Sequence, residues 1–148
     1  MREYTAYEMN RKMEYMMQMR PVLKKRGLFS DGTADYRIPA EPEVGETVII
    51  RFRAAVNNVD IVWLRSDERR HAMRKTETED GFDYFSVQIP LGSEKFYYYF
   101  EVCSGLMHCY YDRCGVTRTH RSEYEFCIQP GFHTPEWAKG AVMYQILV

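Results

Sequence analysis

Cysteine and histidine side chains are concentrated in the second half of the chain, where they could serve thiol or metal chemistry. The residues concerned are Cys103, His108, Cys109, Cys114, His120 and Cys127. Structural metal sites often pair cysteines as C-x-x-C, and the sequence has no such pair. Alternate residues of a strand also point to opposite faces of a sheet, so they do not converge on one ion. We therefore predict no metal site, and rank last the alternative of a metal- or thiol-dependent enzyme built on this group.

The positions of the cysteines and the character of the first residues indicate whether disulfides form and where the protein is located. Ser104-Gly105 predicts a hairpin turn, which would pair Cys103 with Leu106 and hold it away from Cys109. The chain is also not a small secreted scaffold of the kind that depends on disulfides. Its first residues carry charges throughout and lack the apolar segment of a secretory signal. We expect free thiols and a cytoplasmic location.

Aromatic side chains, 15% of the residues, offer a second kind of chemistry, because their flat rings stack on other apolar surfaces. Side chains alternate between the two faces of a strand, so the sequence sorts the rings into inward and outward rows. The outward group, our candidate carbohydrate-binding residues, is Trp63, Tyr84, Tyr97 and Tyr99. The apolar C–H face of a pyranose stacks on such rings while its hydroxyls bond to polar groups around them. The alternatives are ordinary sheet residues and rings that a neighbouring domain covers.

Carboxylates that could act in acid–base or calcium chemistry fall in turns or at strand ends. Asp80, Asp83 and Asp112 are therefore expected to be solvated charges without a catalytic role. The ligand spacing of an EF-hand is absent, and the segments Ser30-Asp31-Gly32 and Glu79-Asp80-Gly81 are equally typical of turns. The sequence thus predicts no cofactor and gives no motif for calcium, which stays possible.

The elements that must position these side chains are mostly strands. Alternating or β-prone runs cover residues 47–55, 59–65, 71–76, 82–89, 95–103, 106–112 and 123–128. Turn signals separate them at short intervals, which is typical of a sandwich. Residues 3–19 differ, because Met9, Met13, Met16 and Met17 recur at helical spacing. The predicted fold class is all-β, an antiparallel immunoglobulin-like β-sandwich with an N-terminal helix.

Length and charge limit the classes of function. The chain has 148 residues, enough for one domain and too few for a complete eight-stranded α/β barrel of roughly 250 residues. Its 20 Lys and Arg against 21 Asp and Glu give a formal charge of -1, which argues against a strongly basic nucleic-acid binder. No apolar run reaches the roughly 18 residues of a membrane-spanning helix. We expect neither a nucleic-acid nor a membrane partner.

The end of the chain carries the most specific signal. Residues 141–148 are almost wholly apolar, as in a buried parallel strand, and predict a chain cut inside a larger protein. The run PEWAKGAVMYQI at residues 135–146 resembles the entry to the catalytic barrel of glycoside hydrolase family 13. The likeness is to neopullulanases, cyclomaltodextrinases and maltogenic amylases, in which P-x-W-x-K-x-x-V-x-Y-Q-I leads into the first barrel strand. Segments of those enzymes' N-terminal domain resemble RFRAA at 51–55, VDIVWL at 59–64, MRK at 73–75, FDYF at 82–85 and YYFEV at 98–102.

The resemblance covers residues 28–148 and implies a domain organisation. That N-terminal domain is a β-sandwich classed as carbohydrate-binding module family 34. We therefore expect an N-terminal helical extension at 1–27, a β-sandwich carbohydrate-binding-like domain at 28–130, and a linker with a truncated first barrel strand at 131–148.

The resemblance also implies a parent enzyme acting on α-1,4-linked glucans such as maltooligosaccharides, cyclodextrins and pullulan. Its catalytic carboxylates lie on later barrel strands, so we assign no catalytic residue and expect this chain not to be an enzyme. The implied role is an accessory module that binds α-glucan, or packs against the catalytic barrel or a second subunit of a possible homodimer and so shapes substrate access. The alternative is a free-standing sugar-binding or protein-interaction β-sandwich.

Overall fold

The computed structural model describes residues 5–8, 11 and 22–135. Within this part of the chain lie short 3-10 turns at Lys25–Gly27 and Ser122–Tyr124 and a series of strands. The strands are β1 Arg37–Ile38, β2 Thr47–Ala55, β3 Ile61–Ser66, β4 Arg69–Ala72, β5 Arg74–Glu79, β6 Phe82–Pro90, β7 Phe96–Ser104, β8 Met107–Asp112, β9 Gly115–Thr117 and β10 Phe126–Ile128. No helix among the described residues has the length and apolar character needed to cross a bilayer.

The strands form two antiparallel sheets. Sheet A has the order β1-β2-β6-β5, and sheet B has the order β4-β3-β7-β8-β9 with β10 also paired to β7. The predicted all-β, immunoglobulin-like sandwich is therefore confirmed. Strand β5 lies at an edge of sheet A, and all six of its residues are exposed.

The core between the sheets consists of the inward rows that the alternation of residue types predicts. In β2 these residues are Val48, Ile50, Phe52 and Ala54, all inaccessible to solvent. Sheet B contributes further aromatic rings, among them Tyr98, which is itself inaccessible. Its hydroxyl accepts a hydrogen bond of 2.8 Å from Nη2 of Arg37 in β1, so the buried phenol is satisfied from the opposite sheet.

Two differences from the predicted elements change which residues are neighbours. The strand predicted at 71–76 is two strands, because β4 belongs to sheet B and β5 to sheet A. Met73 joins them, buried at 7% exposure, and its N–H donates to the carbonyl of Val62. The hairpin turn after β7 is centred on Gly105-Leu106, so Cys103 pairs with His108 and not with Leu106. Gly105 has φ of 61°, as the first central residue of a type II′ turn requires, and this conformation sets the register.

The expectation that Asp83 and Asp112 are solvated was wrong, because they are 1% and 2% exposed. Both oxygens of Asp112 accept hydrogen bonds from Arg121, at 2.7 and 2.9 Å, and one also accepts from the N–H of Cys114. The position of a carboxylate at a strand end did not indicate burial, since the partners that make burial tolerable come from other segments. Asp80 does lie in an exposed hairpin turn, with φ of 53°.

The predictions for the two ends of the chain fall mostly outside the described residues. Residues 6–8 and 11 of the predicted helix are helical, and Thr5 and Glu8 exchange side-chain to backbone hydrogen bonds typical of a helix start. The other positions of that helix and the predicted strand at 141–148 lie outside the described part.

Residues 131–135 run along the sandwich after β10. His133 contacts the carboxylates of Glu41 and Glu43, and the N–H of Thr134 donates to Glu41 at 2.9 Å. We call residues 131–135 the exit strap.

Candidate functional site

Three of the four aromatic residues predicted to bind sugar share one surface, which we call the outer face of sheet B. Trp63 lies on β3 and Tyr97 and Tyr99 on β7, in the rows that alternate with the core residues. Tyr84 lies on β6, opposite Arg53 of β2, and belongs to the outer face of sheet A. The outer faces are on opposite sides of the sandwich, so the structure does not bring Tyr84 together with the other three.

Trp63 is half-buried and is held by an arginine from the neighbouring strand. The guanidinium carbon of Arg70 in β4 lies 4.2 Å from the centroid of the indole. The β3–β4 pairing sets Trp63 opposite Ala72 and Arg65 opposite Arg70, so the arginine is a diagonal neighbour of the ring. A cation–π contact of this kind stabilises an exposed pair by about 0.5–1 kcal/mol and fixes the orientation of the indole.

Tyr99 belongs to the same outer face, but its ring is covered and is not accessible to a ligand. The imidazole of His120 stacks on its ring, with centroids 4.1 Å apart and an angle of 15° between the planes, and Tyr99 is only 5% exposed. Burial raises the pKa of its phenol. His120 is itself held by Glu125, whose carboxylate lies 3.0 Å from its Nε2.

The open ring of the predicted group is Tyr97, which is 45% exposed and lies opposite Cys127 of β10. Sequence analysis missed a further ring of this surface, Tyr110 of β8, which is half-buried and lies opposite Glu101. Its centroid is 5.9 Å from that of Tyr99. The alternation of β8, in which Cys109 and Tyr111 face the core, is the signal that would have identified it.

Tyr84, on the opposite side, is covered by a cation as well. The guanidinium carbon of Arg51 lies 4.6 Å from its centroid, and Arg51 also forms an ion pair with Glu77 of β5. The aromatic residues of the two outer faces are therefore separate groups with separate polar partners.

A charged cluster lies at the centre of the outer face of sheet B. Oε1 of Glu101 accepts a hydrogen bond of 2.7 Å from Nη1 of Arg65, and Oε2 lies 2.5 Å from Nε2 of His108. Burial alone would raise the pKa of Glu101, but the hydrogen bonds from His108 and Arg65 outweigh it and lower the pKa below its usual value. Glu101, which is 8% exposed, is therefore ionised at neutral pH. Glu101 lies two residues after Tyr99 and so shares its outward face.

All four cysteines are free thiols, and they do not share one environment. Cys109 is buried, Cys103 is half-buried, and Cys114 and Cys127 are exposed. Of these, Cys103 belongs to the charged cluster, because it lies directly opposite His108 and two residues from Glu101. The segment Ser30-Asp31-Gly32 begins a turn, in which Oδ1 of Asp31 accepts hydrogen bonds from both the N–H and Oγ1 of Thr33.

Comparison with known proteins identifies the family to which this chain belongs. The sequence matches the family described as "Alpha amylase, N-terminal ig-like domain" over residues 40–133. Amylopullulanases of Thermoanaerobacterium thermosulfurigenes and Thermoanaerobacterium saccharolyticum are 30% and 29% identical to it over 122 residues, covering 70% of this chain. The chain spans only 7% and 10% of those two relatives.

Solved structures show the same fold. A cyclomaltodextrinase matches with a TM-score of 0.62 at 16% identity, over 77% of this chain and 22% of that one. A maltogenic amylase from S. marinus matches with a TM-score of 0.59 at 14% identity, over 81% of this chain and 17% of that one. At such identities the likeness is one of fold, and the sequence match decides the family. The chain belongs to the family of N-terminal immunoglobulin-like domains of α-amylases, as the resemblance noted in the sequence predicted.

Proposed function

We propose that this chain is a non-catalytic N-terminal module of an α-amylase-family glycoside hydrolase, and that the outer face of sheet B binds α-glucan. The observation that carries the proposal is the arrangement of that face. An indole fixed by Arg70 and the half-exposed ring of Tyr97 share this face with polar groups from Arg65 and Glu101. Apolar rings combined with a few oriented polar groups are what sugar recognition needs.

The spacing of the rings indicates an elongated ligand. Trp63 lies opposite Glu101, which is four residues along β7 from Tyr97. At about 3.4 Å per residue, the two positions are roughly 14 Å apart along the strand. A single sugar ring cannot contact both, so we propose a maltooligosaccharide as the ligand. The names of the amylopullulanase relatives agree with a glucan.

Calorimetric titration of the 148-residue chain with maltohexaose tests the proposal. We expect saturable binding and a loss of about tenfold or more in affinity for each of Trp63→Ala and Tyr97→Ala, a change equivalent to about 1.4 kcal/mol. We also expect the unmodified chain to release no reducing sugar from pullulan.

The matched control is Tyr84→Ala, which removes an aromatic ring from the opposite side of the sandwich. This variant should bind maltohexaose as tightly as the unmodified chain. A folded Tyr84→Ala protein that loses binding while the Trp63 variant keeps it would place the site on sheet A and refute the assignment. Far-ultraviolet circular dichroism of each variant checks that it is folded.

A second candidate role is packing against the catalytic barrel or a second subunit, and one observation favours it. Exposed apolar side chains gather at the end of sheet B that holds the β7–β8 turn, with Leu106 82% exposed, Met107 49% and Ile61 45%. Exposed apolar groups that cluster in this way are typical of interaction surfaces. A folded chain that shows no heat with maltohexaose would favour this role over glucan binding.

A further inference from the structure

The hairpin of β7 and β8 brings three different metal-ligating side chains to one point on the outer face of sheet B. Cys103 and His108 are directly opposed across the hairpin, and Glu101 precedes Cys103 by two residues and so shares its face. The ligand atoms of the three side chains all lie within 4.8 Å of one another. The type II′ turn at Gly105 fixes this register, so the arrangement is built into the hairpin.

The donor set has the chemistry that zinc prefers. Zinc takes thiolate, imidazole and carboxylate ligands at about 2.3, 2.0 and 2.1 Å, usually in a tetrahedron. A tetrahedron with these bond lengths separates its ligand atoms by about 3.3–3.7 Å. The three side chains therefore need movements of about an ångström to surround the ion. Thiolate and imidazole together disfavour calcium and magnesium, which take oxygen ligands.

The surroundings of the three side chains also suit a metal site. Arg65 donates to Oε1 of Glu101, and such hydrogen bonds to a ligating carboxylate are usual around bound metals. Oε2 lies 2.5 Å from Nε2 of His108, and a bound ion would replace this direct contact. The side chain of His108 is 42% exposed, so an ion can enter from solvent and water can complete its coordination. Thiolate and carboxylate together would neutralise the charge of the ion.

We propose that Glu101, Cys103 and His108 form a binding site for a zinc ion, with water as the fourth ligand. The site shares Glu101 with the proposed glucan-binding face but lies apart from the exposed ring of Tyr97, and its test needs no glucan. The spacing of cysteine and histidine residues did not predict this site, because one of its ligands is Glu101.

Titration of the reduced 148-residue chain with Co²⁺, followed by displacement with Zn²⁺, tests the site. Cobalt bound to a thiolate gives a charge-transfer absorption in the near ultraviolet, so the band reports the Cys103 ligand directly. We expect the band to saturate at one ion per chain and to vanish when zinc is added. Cys103→Ser should abolish the band, and His108→Gln should weaken cobalt and zinc binding at least tenfold.

Cys127→Ser is the matched control, because it removes an exposed thiol from the same sheet without touching the cluster. It should bind both metals as the unmodified chain does. A band that is absent from the unmodified chain, or that persists in Cys103→Ser and disappears in Cys127→Ser, would overturn the proposal. Cys103→Ser changes one atom of a half-buried side chain, so circular dichroism should show it folded even where His108→Gln is not.

Discussion

Asp83 shows how a single residue at a strand position can be charged and buried at once. Its carboxylate accepts hydrogen bonds from Oγ1 of Thr78 at 2.6 Å and from the N–H of Asn57 at 2.9 Å, and Nζ of Lys75 lies 3.5 Å away. Burial on its own would raise the pKa of Asp83, but these three groups outweigh burial and lower it. Asp83 therefore links β5, β6 and the turn after β2 through its negative charge.

Replacing Asp83 by Asn should lower the free energy of unfolding by about 1–3 kcal/mol at pH 7, because the amide leaves buried donors poorly matched. Urea denaturation measures the change. The folded-state pKa of Asp83 lies below its unfolded value, so its stabilisation is complete above the unfolded pKa and is lost as the pH falls through the folded one. The difference in unfolding free energy between the unmodified chain and Asp83→Asn should therefore become smaller below about pH 4.

Asp80→Asn is the control for this experiment, since Asp80 is exposed and its positive φ suits asparagine. It should change stability by less than about 0.5 kcal/mol. An Asp83→Asn deficit that is the same at pH 3 and pH 7 would contradict the assigned role of the charge.

At the scale of elements, the sequence predicted the long strands well and the short ones poorly. The bounds of β2 were predicted correctly, because nine alternating residues leave little ambiguity. Strands β1 and β9, of two and three residues, are too short to show a period, and they exist because β2 and β8 offer free edges. Alternation likewise predicted the outward direction of the four rings in the candidate group, although Tyr110 was missed.

What the sequence did not predict is which rings meet. The assignment of a strand to a sheet depends on pairing between distant segments, so Tyr84 could not be separated from Trp63 by local pattern. The covering of Trp63 by Arg70 and of Tyr99 by His120 also depends on register between strands and loops. The opposition of Cys103 and His108 was missed because a turn shifted by one residue changes every pair in the hairpin.

The hairpin turn between β5 and β6 gives a test at this scale. Asp80 and Gly81 have φ of 53° and 82°, as a type I′ turn requires. Gly81→Ala should cost about 1–2 kcal/mol of unfolding free energy, because a Cβ is unfavourable in the left-handed region. Thermal unfolding measures the loss.

Gly92→Ala is its matched control, since a Cβ at either glycine meets no atom within 4 Å and only Gly81 has positive φ. The Gly92 variant should be nearly neutral. Equal destabilisation of both variants would show that backbone conformation is not the cause.

At the scale of the whole molecule, the exit strap is attached to the segment that precedes β2. Nε2 of His133 lies 2.6 Å from Glu43, and Nδ1 lies 3.3 Å from Glu41. The hydrogen bonds to Glu43 and then Glu41 raise the pKa of the imidazole. The strap therefore attaches through a histidine whose protonated form is favoured by two carboxylates.

The pKa of His133 measured by nuclear magnetic resonance should lie above the ordinary value of about 6.5, and Glu43→Gln should lower it. The folded-state pKa is raised, so the attachment is complete below the unfolded pKa and weakens as the pH rises through the folded one. The amide-exchange protection of the strap, measured relative to the intrinsic exchange rate at each pH, should decrease over that range. A pKa that Glu43→Gln leaves unchanged would show that the strap is not held by this pair.

The exposed edge strand β5 has a consequence for how copies of this molecule meet. Its sequence, RKTETE, sets cations and anions along an unpaired row of backbone groups. An incoming strand would have to desolvate those charges before it could extend the sheet, and edges of this composition resist such recruitment. Strand addition at β5 is therefore disfavoured, so this edge protects sheet A from being extended by a second molecule.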